Sequence, residues 1–240
     1  MNKQAFIGRE RELQELIQGI ESLVQGDFSL SLVTGPPGVG KTYLVAQAEE
    51  IFRENSCTFI KTKFLPYSQD LFTPAAEILD EIAKQLLILE PEPFEIVQKT
   101  LKEKLRQDIP TIVALSPLSE KVFGAKNLRG PLEDVNEESV VQAMVSYIRE
   151  AATILFPMIL FMDDVQWGDR ISMKLLRALC YTGNVSNFYL ILACRTSCND
   201  DLDSFISHQK KIQLTPFREE DVKQLLSETY SLKETPNEAV

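Results

Sequence analysis

The chain has 240 residues, which is enough for one large α/β domain or for a domain with part of a second. Its formal net charge of −10 indicates an acidic surface, which argues against nucleic acid as a partner because phosphate backbones require clustered Lys and Arg. The four cysteines accompany a single His, which favours reduced thiols over a zinc site, and the lack of a signal peptide or membrane-spanning run predicts a cytoplasmic protein with no membrane partner.

The first predicted elements are a helix with apolar residues at helical spacing over 13–24 and a strand over 28–34. The next stretch, 35–42, reads GPPGVGKT and fits the pattern G-x-x-x-x-G-K-[ST] of a phosphate-binding P-loop. A helix is predicted directly after it, over 43–52. A strand before the loop and a helix after it are the context that this motif requires.

The P-loop predicts a polyphosphate site. Glycines let backbone N–H groups turn inward around phosphates, and the helix N-terminus adds oriented donors and a partial positive charge. Lys41 would reach the β- and γ-phosphates, and the Thr42 hydroxyl would ligate Mg²⁺. The residues expected to contact the nucleotide are Gly35, Pro36, Pro37, Gly38, Val39, Gly40, Lys41, Thr42 and Tyr43. The alternative is a Gly/Pro turn that joins a strand to a helix without a ligand.

A second short strand is predicted over 57–61, and the region from about 64 to 135 is interpreted as a helical insertion packed on one side of the sheet. Thr73 and Pro74 make a good helix start, with Thr as the cap and Pro at the first helical position. The prolines at 91 and 93 are expected to break that helix, and another is suggested over 94–105. A regulatory role for this insertion and a merely connecting role both stay open.

Two acidic residues, Asp163 and Asp164, follow a continuous apolar run over 157–162, and Asn136 is predicted to cap the helix before that run. Such a run is typical of a central parallel strand that is covered on both faces. Paired acids at its carboxyl end match the Walker B position of P-loop enzymes, where Asp163 would hold Mg²⁺ and Asp164 would polarise the attacking water. The alternative is the acidic start of a solvated loop.

Arg195 follows another predicted buried strand, 188–194. This position is on the ligand side of an open parallel sheet, so its guanidinium could sense a γ-phosphate, although it could also be a surface Arg. A short last strand over 211–214 and a helix after Pro216 complete the described pattern. Because strands and helices alternate, we predict an α/β fold with a mainly parallel, doubly wound sheet.

These stretches together resemble the AAA-type ATPase module of STAND signal-transduction NTPases, which occurs in large multidomain regulators. The similar stretches are FIGRE at 6–10, the P-loop (Walker A) at 35–42, ILFMDDVQWGD at 159–169 (Walker B), ILACRT at 191–196 (sensor 1, with its terminal Arg195), and LTPF at 214–217 (the linker into a helical lid). The resemblance implies ATP or ADP with Mg²⁺ as the ligands, and it implies that Phe6, Ile7 and Arg9 lie near the adenine.

The resemblance also implies a P-loop NTPase three-layer sandwich. Residues 1–215 would form the nucleotide-binding domain, with the helical insertion at about 64–135, and residues 216–240 would begin a helical lid that is truncated here. By analogy with one branch of P-loop proteins, a further strand is expected between the P-loop strand and the acidic strand.

The leading functional hypothesis is an ATP-binding switch that hydrolyses ATP slowly within a signal-transduction protein, with Asp164, Lys41 and Arg195 as the catalytic residues. The alternative is a nucleotide-binding scaffold without hydrolysis, since Asp164 stands where hydrolysis-proficient AAA motors carry Glu. The expected partners are the nucleotide, other domains of a longer parent chain or signalling proteins, and further copies of the chain in a nucleotide-dependent oligomer. A GTPase is disfavoured because the chain has no N-K-x-D guanine motif.

Overall fold

The computed structural model describes residues 8–26, 28–66, 73–124, 136–181, 186–195 and 210–231. In this part of the chain strands and helices alternate as predicted, except that five helices follow one another between the second and the third strand. The strands are β1 (Phe28–Thr34), β2 (Thr58–Lys63), β3 (Met158–Asp163), β4 (Phe188–Cys194) and β5 (Lys210–Gln213). The helices are α1 (Glu10–Val24), α2 (Lys41–Glu54), α3 (Thr73–Leu87), α4 (Pro91–Lys104), α5 (Ile109–Leu115), α6 (Ser119–Phe123), α7 (Glu137–Ile154), α8 (Arg170–Tyr181) and α9 (Glu219–Ser231), and a short 3₁₀ turn covers Val165–Trp167.

The five described strands form one parallel sheet in the order β2-β3-β4-β1-β5. Strand β4 therefore lies between β1, which leads into the P-loop, and β3, which ends in the acidic pair. This confirms the separating strand that was expected by analogy. Every residue of β3 and β4 is buried, because helices cover both faces of a parallel sheet.

Two hydrophobic cores lie on opposite faces of the sheet. Because side chains alternate along a strand, Leu160 and Leu190 join one core while Ile159 and Ile191 join the other. The first core contains buried residues of α3 to α8, and the second contains buried residues of α1 and α2. The three-layer α/β sandwich is thus confirmed, and the helices predicted as an insertion pack on a single face.

Helix boundaries follow the predicted signals closely, with one useful difference. The Asn136 side chain accepts a hydrogen bond from the backbone N–H of Glu138 at 3.1 Å, which confirms the predicted cap of α7. Pro91 and Pro93 were predicted to break a helix, and they also begin the next one, because proline has no N–H to lose in a first helical turn. Strand β2 continues to Lys63, two residues beyond the predicted end.

The thiols depart from expectation at one position. Cys57 and Cys180 are free, whereas Cys194 is disulfide-bonded, so the prediction of reduced thiols is wrong for that residue. Among the residues that the structure describes, no helix combines the length and the apolar character needed to cross a membrane.

Candidate functional site

The predicted site residues follow three neighbouring strands at one edge of the sheet. The P-loop follows β1, Asp163 ends β3, and Arg195 directly follows β4. The carboxyl ends of parallel strands meet at the same edge, so residues far apart in the sequence come together there. A cleft of about 390 Å³ opens at this edge, and its lining residues are Pro37, Gly38, Gly40, Lys41, Thr42, Tyr43, Lys63, Asp164 and Arg195.

The P-loop has a closely packed side and an open side. A Cβ atom on Gly35 would lie 2.7 Å from the backbone oxygen of Leu214, so only glycine fits there. Gly38 and Gly40 have φ angles of 75° and 98°, and a Cβ atom on either would meet no atom within 4 Å. These two left-handed glycines leave a backbone cradle with free space beside it, which fits a phosphate group.

The Lys41 side chain is folded inside the loop. Its Nζ donates hydrogen bonds to the backbone oxygens of Gly35 at 2.9 Å and Pro36 at 3.1 Å, and the residue is 7% exposed. Burial lowers the pKa of Lys41, although the negative charges of Asp164 and Asp163 oppose that shift. The loop therefore holds a positive charge that its own carbonyls satisfy only in part, since an ammonium has three donors.

Thr42 and Asp163 form the oxygen pair that the sequence predicted for Mg²⁺. The Thr42 hydroxyl donates a hydrogen bond to Asp163 Oδ2 at 2.8 Å, and Asp163 is 3% exposed. Thr42 lies in the first turn of α2 and Asp163 is the last residue of β3, so the pair joins the two motifs. A hydroxyl and a carboxylate are hard oxygen ligands, and this donor set fits Mg²⁺.

Both carboxylate oxygens of Asp164 are occupied. Gln166 Nε2 donates a hydrogen bond to Oδ1 at 2.9 Å, and Lys63 Nζ lies 3.1 Å from Oδ2. Burial alone would raise the pKa of Asp164, but the hydrogen bonds from Gln166 and Lys63 outweigh it and lower the pKa. Asp164 is therefore a held, ionised carboxylate in a left-handed backbone conformation, with φ of 57°.

Gln166 connects this carboxylate to the end of β4. Its Oε1 accepts a hydrogen bond from the backbone N–H of Arg195 at 3.2 Å, while its Nε2 contacts Asp164. The Arg195 guanidinium carbon lies 5.3 Å from the centre of the Trp167 ring, a cation–π distance. The short turn after β3 thus orients both the second acid and the arginine.

The other predicted residues that the structure describes do not line the cleft. Val39 packs in the core that contains α1 and α2, and Pro36 contributes its backbone oxygen to Lys41. Arg9 is buried, and its guanidinium donates to the backbone oxygen of Thr215 and lies 4.6 Å from the centre of the Phe217 ring. Arg9 therefore contacts the segment that leads into α9. Phe6 and Ile7 lie outside the described residues.

Two residues of the site were not predicted from the sequence: Lys63, which lines the cleft, and Gln166, which contacts Asp164 and Arg195. Lys63 was missed because the predicted strand ended at Lys61. Extending the strand by two residues would have placed Lys63 at the same sheet edge as the acids. Gln166 belongs to the recognised Walker B stretch, but it received no role because its two hydrogen-bond partners are separated by 31 residues.

Among curated proteins, the chain is similar to hybrid signal transduction histidine kinase G of Dictyostelium discoideum, with 27% identity over 173 residues. This alignment covers 71% of the chain but only 5% of the kinase. The chain thus corresponds to a small part of that relative.

Among solved structures, the chain is similar to the ORC1 protein of Aeropyrum pernix in complex with DNA, at 12% identity and a TM-score of 0.53. The match covers 95% of this chain and 50% of that one. A RuvB protein of Thermotoga maritima matches at 16% identity and a TM-score of 0.47, over 95% of this chain and 52% of the other. At these identities the likeness to ORC1 concerns the fold.

The prediction about partners is corrected by this likeness. The net charge of −10 led us to exclude nucleic acid, yet the ORC1 protein, which has the same fold, is in complex with DNA. Exclusion on charge was wrong because an overall charge does not describe local surfaces, where Lys and Arg can cluster within an acidic protein. The exclusion of nucleic acid from the predicted partners is therefore withdrawn.

The family model of the AAA ATPase domain matches residues 5–192. This range contains the P-loop, the acidic end of β3 and most of β4, which are the elements that surround the cleft. On the combined evidence of motif, sheet order and family match, the chain belongs to the AAA ATPase domain family and is an AAA ATPase-like nucleotide-binding domain.

Proposed function

We propose that the cleft binds ATP with Mg²⁺ and hydrolyses it slowly, as the switch of a signal-transduction protein. The observation that carries this proposal is the convergence of Lys41, Asp164 and Arg195 on one cleft beside the Thr42–Asp163 pair. Each of these residue types has a known task in phosphoryl transfer. They lie at the carboxyl ends of parallel strands, which is the usual ligand position in open α/β folds.

In this proposal each residue has one task. Lys41 contacts the β- and γ-phosphates, and Arg195 offsets γ-phosphate charge. Thr42 and Asp163 would hold Mg²⁺, which would neutralise charge on the phosphates. Asp164 orients the attacking water, and its lowered pKa keeps the carboxylate ionised at neutral pH. The backbone N–H groups of 35–43 cradle the phosphates.

We also propose that residues 1–215 are the nucleotide-binding domain, with the insertion at about 64–135, and that residues 216–240 begin a lid. Support comes from the linker before α9, which Arg9 contacts through Thr215 and Phe217. Asp221 of α9 lies beside Gly8, 3.0 Å from the position that a Cβ atom would take there. The nucleotide state would bias the position of α9 through these contacts.

The assignment to signalling is supported by the relative among histidine kinases, although the chain covers a small fraction of it. An aspartate at position 164 favours slow turnover, because its side chain is one methylene shorter than the glutamate of hydrolysis-proficient AAA motors.

A second candidate function is nucleotide binding without hydrolysis. It is favoured by the contacts of Asp164, since Gln166 and Lys63 occupy both of its oxygens and compete with a water for them. In this alternative the cleft would hold ADP or ATP as a fixed structural ligand.

Single-turnover hydrolysis of ATP, with protein in excess, separates the two functions. We expect a slow but measurable rate in the wild type and a loss of at least about 100-fold in Asp164→Asn, because a positioned base contributes on the order of 10²–10⁴-fold. Lys61→Met, on the same strand as Lys63 but outside the cleft lining, is the matched control and should keep the wild-type rate. Equal, near-zero rates in wild type and Asp164→Asn would leave only the binding function.

A further inference from the structure

We propose that Lys63 is an internal counter-cation of the acidic pair, which competes with a divalent cation for Asp163 and must leave it when the metal binds. This inference rests on the proposed Mg²⁺ site. It adds a residue outside the recognised motifs and a reason why that site would discriminate against metal without nucleotide.

The position of Lys63 is set by the sheet. In the parallel pair of β2 and β3, Lys63 is in register with Asp163, and residues in register point to the same face. Lys61, two residues earlier on that face, pairs with Glu49 of α2 at 3.2 Å, so the face is the one that α2 covers. Lys63 is therefore directed toward the start of α2, where Thr42 lies.

The contacts of Lys63 converge on the oxygen that the metal would need. Lys63 Nζ lies 3.5 Å from Asp163 Oδ2 and 3.1 Å from Asp164 Oδ2. Asp163 Oδ2 is also the atom that accepts the hydrogen bond from Thr42. An ammonium and a divalent cation cannot both sit close to one carboxylate oxygen without strong mutual repulsion.

The Lys63 side chain can move away from Asp163 and Asp164. About half of its side chain is exposed, at 54%, and its flexible four-carbon stem lets the charge move away without disturbing the core. A nucleotide brings phosphate charge into the same cleft, which gives the displaced ammonium a second anionic partner.

Binding of Mn²⁺ to the nucleotide-free protein, followed by electron paramagnetic resonance, tests the competition directly. We expect Lys63→Met to bind Mn²⁺ about tenfold more tightly than the wild type, because one screened positive charge beside the metal is removed. Lys63→Arg keeps the charge and should resemble the wild type. Lys61→Met is the matched control on the same strand face, and it should also leave Mn²⁺ affinity unchanged.

A double variant, Lys63→Met with Asp163→Asn, tests whether the added Mn²⁺ affinity arises at Asp163. Asp163→Asn should abolish the increase in Mn²⁺ affinity that Lys63→Met causes. Equal Mn²⁺ affinity in Lys63→Met and Lys61→Met, weaker binding in Lys63→Met, or no binding by any variant would overturn the inference. Circular dichroism of each variant shows whether it is folded, and the charge-retaining Lys63→Arg supplies the comparison if Lys63→Met is not.

A separate measurement distinguishes failure of this inference from failure of the proposed function. Calorimetric titration of the wild type with ADP in EDTA measures nucleotide binding without metal. Failure to bind ADP would refute the nucleotide site while leaving the Mn²⁺ comparison interpretable. ADP binding together with equal Mn²⁺ affinities would instead refute only the role of Lys63.

Discussion

Replacing the P-loop lysine, Lys41→Met, should separate nucleotide affinity from the stability of the fold. Lys41 is 7% exposed and donates to the carbonyls of Gly35 and Pro36. Burial lowers its pKa from the ordinary value of 10.5, so the folded protein disfavours the charged form. This penalty is present at neutral pH and is relieved as the pH rises toward 10.5, where the unfolded chain also loses the proton.

Two opposing effects set the stability of the nucleotide-free variant. Methionine removes two charge-assisted hydrogen bonds worth about 1.5–3 kcal/mol each, and it also removes the penalty of burying a charge, on the order of several kcal/mol. Since these effects nearly cancel, we expect the melting temperature without nucleotide to stay within about 3 °C of the wild type or to rise.

The effect on nucleotide binding should be large. At 100 times its Kd, ADP stabilises the wild type by about 2.7 kcal/mol, which corresponds to about 5–10 °C for a chain of this size. Loss of charge-assisted hydrogen bonds to phosphate, about 1.5–3 kcal/mol each, should weaken binding by about 100-fold or more. At the same ADP concentration the variant should then shift by about 1 °C.

Thermal melts with and without ADP and Mg²⁺ measure both quantities in one experiment. Lys61→Met serves as the control, because this exposed lysine pairs with Glu49 and does not line the cleft. An unchanged ADP shift in Lys41→Met would show that the loop is not the phosphate site. A fall of more than about 10 °C without nucleotide would refute the reasoning from burial.

Two further predictions concern residues that support the site without lining the cleft. Gln166→Leu removes the amide that holds Asp164. The rate of single-turnover hydrolysis should therefore fall by about 10–100-fold, while ADP affinity changes less than about threefold. An equal fall in the hydrolysis rate and in ADP affinity would show that Gln166 does more than position the acid. Gly35→Ala places a Cβ atom 2.7 Å from the oxygen of Leu214, and chemical denaturation should show a loss of about 1–3 kcal/mol in the free energy of unfolding. An unchanged free energy of unfolding would contradict the close packing at Leu214.

Much of the fold could be predicted because its signals are local. The strand before Gly35 and the helix after Thr42 are specified by the apolar run, the glycines and the helical spacing within 30 residues. Asn136 was recognised as a cap from its neighbours alone, since a cap involves only the first helical turn. The ends of β3 and β4 were visible as polar residues after continuous apolar runs, which placed Asp163 and Arg195 at one sheet edge.

Features that depend on register or on contacts between distant segments could not be predicted. The approach of Lys63 to the acids follows from β2 lying next to β3 and from the last two residues of β2. The bridge through Gln166 requires that the turn after β3 face the end of β4. Arg9 was expected near the adenine, but which segment it contacts depends on where the chain returns after β5.

The sequence by itself thus determined that this chain has a P-loop, an acidic strand end and an alternating α/β pattern, because each is encoded by residues adjacent in the chain. Only the tertiary structure decided that Asp164 is held from both sides and that Lys63 lies beside the predicted metal ligand. The contacts of Lys63 with both acids join segments that are distant in the sequence, and their existence depends on strand order and register rather than on any local pattern.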